Sequence, residues 1–143
     1  VREIARVLRP GGKLIITTPN KPVSLTRNPW HVREYNPTEF KALLSHDFAT
    51  VEGYGVFGNP KVMQYYEHNK AGVNAVLKYD ILKLNRWLPR WLLRIPYDIM
   101  NRRNRRKLLT QNNELTASIT MDDYYVGPVA DGCFDLFFVA VKQ

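Results

Sequence analysis

The chain has 143 residues, of which 45% are hydrophobic, 24% charged and 12% aromatic. A globular domain of that size buries roughly 70% of its unfolded surface, so wholesale disorder is excluded, and eight Gly with nine Pro exclude a collagen-like or linker-like chain. The one cysteine, Cys133, cannot close an internal disulfide; this excludes a disulfide-built secreted scaffold and makes a reducing, cytoplasmic compartment the expectation.

The net charge of +8 is local. Between Lys78 and Lys107 stand ten Lys/Arg against Asp80 and Asp98, a surplus equal to the whole net charge. The chain therefore reads as a neutral domain carrying one basic insert. No uncharged apolar run reaches the roughly 18–20 residues of a membrane span. Val1-Arg2-Glu3 opens directly into a helical pattern, without Met and without a signal peptide, and reads as the start of a piece of a longer chain.

Ile4, Val7 and Leu8 recur at helical spacing, and Pro10-Gly11-Gly12 is expected to stop that helix. Lys13 to Thr18 is short and β-branched, with Leu14-Ile15-Ile16 apolar on successive residues, which predicts a strand buried on both faces. A loop rich in Asn and Pro leads to Asn36-Pro37-Thr38-Glu39, an N-cap, a first-turn Pro and an acid at the third position. The helix it starts runs to about Leu44, burying Phe40, Leu43 and Leu44. Phe48 to Phe57 reads as a strand packing through Val51, Tyr54 and Val56.

Asn59-Pro60 starts another helix. From Val62 to Leu109 the pattern is helical, with interruptions expected at Gly72, Pro89 and Pro96. Val73, Leu77, Ile81, Leu84 and Leu88 form an apolar stripe, with Lys83, Arg86, Arg90 and Arg94 on the opposite side. Thr120 suits the cap of a short helix at Met121-Asp122-Asp123. Phe134 to Val141 is the most strand-like run of all. The order α-β-α-β-insert-β predicts an α/β core over 1–59 and 120–143, with the helical insert, 60–119, outside the sheet as a cap.

Several of these pieces carry a family resemblance. Leu8-Arg9-Pro10-Gly11-Gly12-Lys13 resembles the turn into the fifth strand of class I S-adenosylmethionine-dependent methyltransferases, and Thr18-Pro19-Asn20 resembles the end of that strand. The run from Asn28 to Phe40, NPWHVREYNPTEF, is similar to the acceptor-side loop and following helix of the small-molecule subgroup. Phe134 to Lys142 is similar to the family's last, antiparallel strand. The resemblance implies the C-terminal part of a Rossmann-like sheet: two parallel strands and one antiparallel, with helices on both faces and a helical cap. It also implies S-adenosylmethionine as the cofactor of the intact parent.

The Gly-rich turn after the family's first strand, and the acids that end its second strand and precede its fourth, have no counterpart here. Gly11-Gly12 follows a helix and precedes a strand, the wrong order for a cofactor cradle. The chain by itself is expected not to bind S-adenosylmethionine and to be inactive alone, and no cofactor-binding residue is assigned.

Thr18, Pro19 and Asn20 lie where a parallel strand ends, the place where such sheets take ligands; the competing reading is a plain turn. His31 is the candidate catalytic base, since methyl transfer to oxygen or nitrogen gains from removing the acceptor's proton. Against it stands a loop His that caps backbone, and positioning alone carries much of such a reaction. Trp30 and Tyr35 are candidate walls of an acceptor pocket, and Arg33 is a candidate partner for an anionic acceptor. His46 and His68 have no ligand-spaced partners, Cys133 reads as a small core residue, and no metal constellation exists.

The 78–107 segment admits three readings. Leu82, Trp87, Leu88, Trp91, Leu92, Leu93 and Ile95 among arginines suit an interfacial helix near a lipid-linked acceptor, which would give peripheral membrane contact. Arg102 to Lys107 suits phosphate contacts, although no aromatic interleaves that run and nucleic acid is disfavoured. The favoured reading is a lid, with Trp87 and Trp91 facing protein and the arginines facing solvent. The expected function is therefore the acceptor-side half of a methyltransferase for a small or lipid-linked acceptor; the alternative is a non-catalytic, basic membrane- or partner-binding module. The apolar strand at Leu14–Thr18 is expected to offer an open edge for self-association.

Overall fold

A computed structural model describes residues 1–78, 88–111 and 113–143. The elements in chain order are α1 (Arg2–Val7), β1 (Lys13–Pro19), α2 (Pro37–Ser45), β2 (Thr50–Gly58), α3 (Pro60–Leu77), α4 (Arg90–Gln111), α5 (Asn113–Ser118), β3 (Tyr124–Pro128) and β4 (Asp135–Val141). They fall into two compact units. One holds residues 1–24, 33–57 and 125–143; the other holds 25–32 and 58–124.

The first unit is built on a four-stranded sheet of order β1-β4-β2-β3. The final strand, β4, runs antiparallel to β1 on one side, with Ile16 opposite Phe138, and antiparallel to β2 on the other, with Gly53 opposite the same Phe138. β1 and β2 thus share a direction without pairing, because β4 lies between them. Two strands of one direction and one opposed to both were expected; every pairing between them is antiparallel. The edge strand β3 was not expected at all: Tyr124-Tyr125-Val126 is too short to show an alternation and runs straight into Gly127-Pro128. Pro is tolerated at such an edge.

The sheet has one covered face. Leu136, Phe138 and Ala140 of β4 are fully buried on it. α2 packs there through Phe40 and Leu44, and α1 through Ala5 beside Phe48 and Ala140. Phe40 meets Phe138 edge-on with ring centroids 5.2 Å apart, a favoured aromatic geometry. Gly53 and Gly55 make room for this core: a Cβ on Gly53 would stand 2.7 Å from the Phe138 ring, and one on Gly55 2.6 Å from Cys133 Cβ.

Helices on both faces were expected, yet α1 and α2 share one. β1 was expected to be buried on both sides, but its residues alternate between exposed and half-buried, and Ile15 is 65% exposed. The apolar run Leu14-Ile15-Ile16 reports affinity for cover on both sides, and within this unit only the Leu14 and Ile16 side receives it. Tyr54 and Val56, expected as packing residues, lie in register with Phe137 and Asp135 on the opposite face from Leu136 and Phe138. Val51 does pack on the core.

Pro10-Gly11 acts as a turn rather than a helix stop. α1 has already ended at Val7, and Gly12 N–H donates to Arg9 O at 2.8 Å with Gly11 at φ +71°. Pro first and a positive-φ Gly second fit a type II turn. The turn is tied to the end of β4 by Gly11 N–H to Lys142 O at 3.0 Å and Lys142 N–H to Gly12 O at 2.9 Å. At α2 the expected capping box is present: Asn36 Oδ1 accepts from Glu39 N–H at 2.8 Å, and Glu39 Oε2 accepts from Asn36 N–H at 3.3 Å.

The second unit is helical. α3 opens at Asn59, whose Oδ1 accepts from Lys61 and Val62 N–H. α3 runs through Gly72 and α4 runs through Pro96, so neither residue breaks its helix as expected. Pro89 does mark a boundary: its carbonyl accepts from Leu92 and Leu93 at the start of α4. The stripe positions Ile81 and Leu84, their counterparts Lys83 and Arg86, and Leu82 and Trp87 lie outside the described residues. Thr120 precedes a single 3-10 turn, Met121–Asp123.

The ends of this unit are clasped. Asp123 accepts from Lys61 Nζ at 2.8 Å, Thr120 N–H at 2.8 Å and Asn59 Nδ2 at 2.7 Å, while Asn59 N–H donates to Asp123 O at 2.9 Å. The Lys61 ammonium foremost, then the Thr120 amide, holds the Asp123 carboxyl at about 2, well below the usual carboxylate range.

Candidate functional site

The residues singled out from the sequence divide between the two units. Thr18, Pro19, Asn20, Arg33 and Tyr35 belong to the sheet unit; Trp30 and His31 belong to the helical one.

In the sheet unit the carboxyl end of β1 is fastened to the chain on either side. Asn20 forms a parallel bridge with Tyr35, its N–H donates to Phe134 O at 3.0 Å, and Lys21 N–H donates to Tyr35 O at 3.0 Å. Tyr35 leans on Phe40, with ring centroids 5.4 Å apart, and carries the exposed Arg33 guanidinium 4.8 Å above its ring. Thr18 is half-buried and Pro19 exposed.

Asn20 is fully buried. Its side-chain amide donates to Asp131 O and Cys133 O, each at 2.8 Å, which ties the end of β1 to the turn before β4. Its Oδ1 has no hydrogen-bond partner. Asn20 therefore works first as a latch, with a buried acceptor left over.

Asp135 was not singled out from the sequence. It opens β4 opposite Pro19 and Val56, at the same end of β1, and burial pushes its carboxyl above the usual range. The available signal was a lone charge at the head of an apolar strand, FDLFFVAV. Cys133 is buried, and its thiol is pushed up by burial, in keeping with a core residue and not a nucleophile.

In the helical unit, residues 25–32 are held by α4. Trp30 Nε1 donates to Asp98 Oδ1 at 3.0 Å, and the Arg94 guanidinium stands 4.5 Å over the Trp30 ring. Arg90 donates to Val32 O and Arg27 to Leu88 O. Arg94 and Asp98 are one turn apart, so a single stretch of helix holds both the face and the edge of the indole.

His31 is half-buried. Asn28 Oδ1 accepts from Trp30 N–H at 3.0 Å, which turns the Asn28 NH2 toward His31 Nε2, also 3.0 Å away. An NH2 only donates, so Nε2 accepts, and a neutral ring then carries its proton on Nδ1. His46 bonds its neighbour Asp47 at the surface. His68 lines an open groove of about 400 Å³ with Ala71, Gly72, Ala75, Asn104, Lys107 and Leu108. No cluster that could hold a metal ion exists among the described residues.

Against this geometry, the chain matches two proteins named "Probable S-adenosylmethionine-dependent methyltransferase", from Mycobacterium tuberculosis strains CDC 1551 / Oshkosh and ATCC 25618 / H37Rv. Identity to each is 40% over 68 residues, covering 43% of this chain and 25% of the relative. The match thus reaches a quarter of the relatives' length. No protein-family model matches the chain, and no solved structure does. The chain is related, partially and distantly, to proteins named as methyltransferases. Its Gly11-Gly12 turn does not fit a cradle for their cofactor, because Gly11 N–H is spent on Lys142 O and Gly12 N–H on Arg9 O.

Proposed function

We propose that this chain is the acceptor-side part of an S-adenosylmethionine-dependent methyltransferase acting on a small or lipid-linked acceptor. The observation that carries the reading is the 40% identity to the two mycobacterial proteins. The sheet supports it: β1 and β2 share a direction and the last strand opposes both, as a Rossmann-like C-terminal part with its antiparallel final strand requires. The buried acceptor of Asn20 at the carboxyl end of β1 supports a ligand at that strand end.

In this reading Thr18, Pro19, Arg33 and Tyr35 face the acceptor, Arg33 meeting an anionic group. Trp30 walls the acceptor side, oriented by Arg94 and Asp98. His31 accepts the acceptor's proton at Nε2, the nitrogen that now takes the Asn28 amide, so Asn28 must swing away as the acceptor binds. The test is transfer of a labelled methyl group by the intact gene product. His31→Ala should lower the transfer rate about 10²–10⁴-fold if proton removal is needed. An unchanged rate would remove His31 from the chemistry, and an intact gene product that neither binds S-adenosylmethionine nor transfers methyl would remove the whole reading.

A further inference from the structure

The outer side of α4 is not that of a plain solvated helix. At 100° per residue, Trp91, Leu92, Ile95 and Ile99 fall within about 100° of the helix circumference. They are 67%, 43%, 71% and 62% exposed. Monomeric proteins scatter such residues singly over the surface, and grouped ones mark interaction sites. The lid reading places Trp91 against protein in the intact enzyme; within this chain Trp91 is exposed.

Two turns further on, the same sector carries Arg102 and Arg106, with Arg103 beside them, all exposed. Across Arg90–Gln111 there are seven Lys/Arg and one acid, Asp98. That acid is engaged by Trp30. Among the described residues, none of Arg102, Arg103, Arg105, Arg106 and Lys107 forms an ion pair. The other side of α4 is committed to its own unit: Leu108 is buried, and Asn104 Nδ2 donates to Asn69 Oδ1 on α3 at 2.7 Å. The helix therefore presents one open face, apolar and aromatic in its first half, cationic in its second.

We propose that this face docks on an anionic lipid bilayer, with α4 lying in the interface plane. Trp91, Leu92, Ile95 and Ile99 would enter the headgroup–acyl boundary, and Arg102, Arg103 and Arg106 would meet anionic headgroups. No helix among the described residues is long and apolar enough to cross a membrane, so the contact is peripheral. Charge complementarity selects an anionic surface. The three aliphatic neighbours of Trp91 select a bilayer over a nucleic acid, since aliphatic side chains cannot stack on bases as aromatic ones do. This surface does not depend on the methyltransferase reading.

The experiment is co-sedimentation of the full 143-residue chain with phosphatidylcholine vesicles, with and without phosphatidylglycerol. Two variants accompany it: Arg102→Gln, Arg103→Gln, Arg105→Gln and Arg106→Gln together, and Trp91→Ser, Ile95→Ser and Ile99→Ser together. All seven positions are exposed or at the surface, and far-UV circular dichroism checks each fold. The wild-type chain should sediment with phosphatidylglycerol vesicles and not with phosphatidylcholine alone. The four-arginine variant should lose about a hundredfold in partitioning, and the apolar variant should also lose at least tenfold. Absence of wild-type binding, or apolar-variant binding equal to wild type, would overturn the proposal. So would preference for a polyuridine RNA over vesicles, with the apolar variant still binding the RNA.

Discussion

Phe138 and Trp91 show how differently the two units use a large aromatic residue. Phe138 is wholly buried between α2 and Gly53 of β2, while Trp91 stands 67% exposed on α4. In the sheet unit the apolar side chains turn inward onto one face, and the alternation Leu136, Phe138, Ala140 maps directly onto burial. In the helical unit the long helix keeps Leu108 inside and holds Trp91, Ile95 and Ile99 out. The same composition thus serves cohesion in one unit and leaves a contact surface in the other. A burial pattern is evidence of a core only where a second element closes over it.

The sharpest test of that contrast is Phe138→Ala, which should cost the sheet unit about 3–5 kcal/mol. Trp91→Ala should change stability by no more than about 0.5 kcal/mol, as a surface change does. Urea unfolding followed by circular dichroism compares the two, and similar costs would erase the distinction.

Next in size, Gly55→Val should destabilise by about 1–3 kcal/mol through overpacking, because a Cβ there meets Cys133 Cβ at 2.6 Å. The matched change Gly132→Val, where nothing stands within 4 Å of the added Cβ, should be mild, and thermal melts of the pair check this.

Asn36→Ala removes the side-chain acceptor of the α2 capping box, leaving the backbone N–H to Glu39 in place, and should cost about 1 kcal/mol. Amide hydrogen exchange across α2 should accelerate, and exchange in α4 should not.

The smallest effect belongs to the helical unit's clasp. The Asp123 carboxyl titrates at about 2 when folded, below the roughly 3.9 of an unfolded Asp. The folded state thus binds that proton more weakly, so the clasp contributes fully above about pH 4 and is lost as pH falls through about 2. Limited proteolysis by pepsin at stepped pH should show cleavage in 58–124 rising over that window. Asp123→Asn should remove the step.

Legibility followed the range of the interaction. The caps at Asn36, Asn59 and Thr120 and the strand at Phe134–Val141 were visible because their determinants lie within a few residues of each other. Asp135 went unnoticed, since a lone acid heading a strand acquires meaning only when Pro19 and Val56 are brought beside it. His31 was legible as a titratable group, but the amide that occupies its Nε2 follows from how Asn28 and Trp30 fold together.

The sequence by itself determined where helices start, which strand is most apolar, and where the positive charge resides, because backbone capping, side-chain period and charge are properties of short segments. Only the tertiary structure decided that β4 separates β1 from β2, that α1 and α2 share one face of the sheet, and that Trp91 points outward while Trp30 is held by Arg94 and Asp98. Those outcomes depend on which distant surfaces close over one another, and burial is a property of the pair, not of either segment alone.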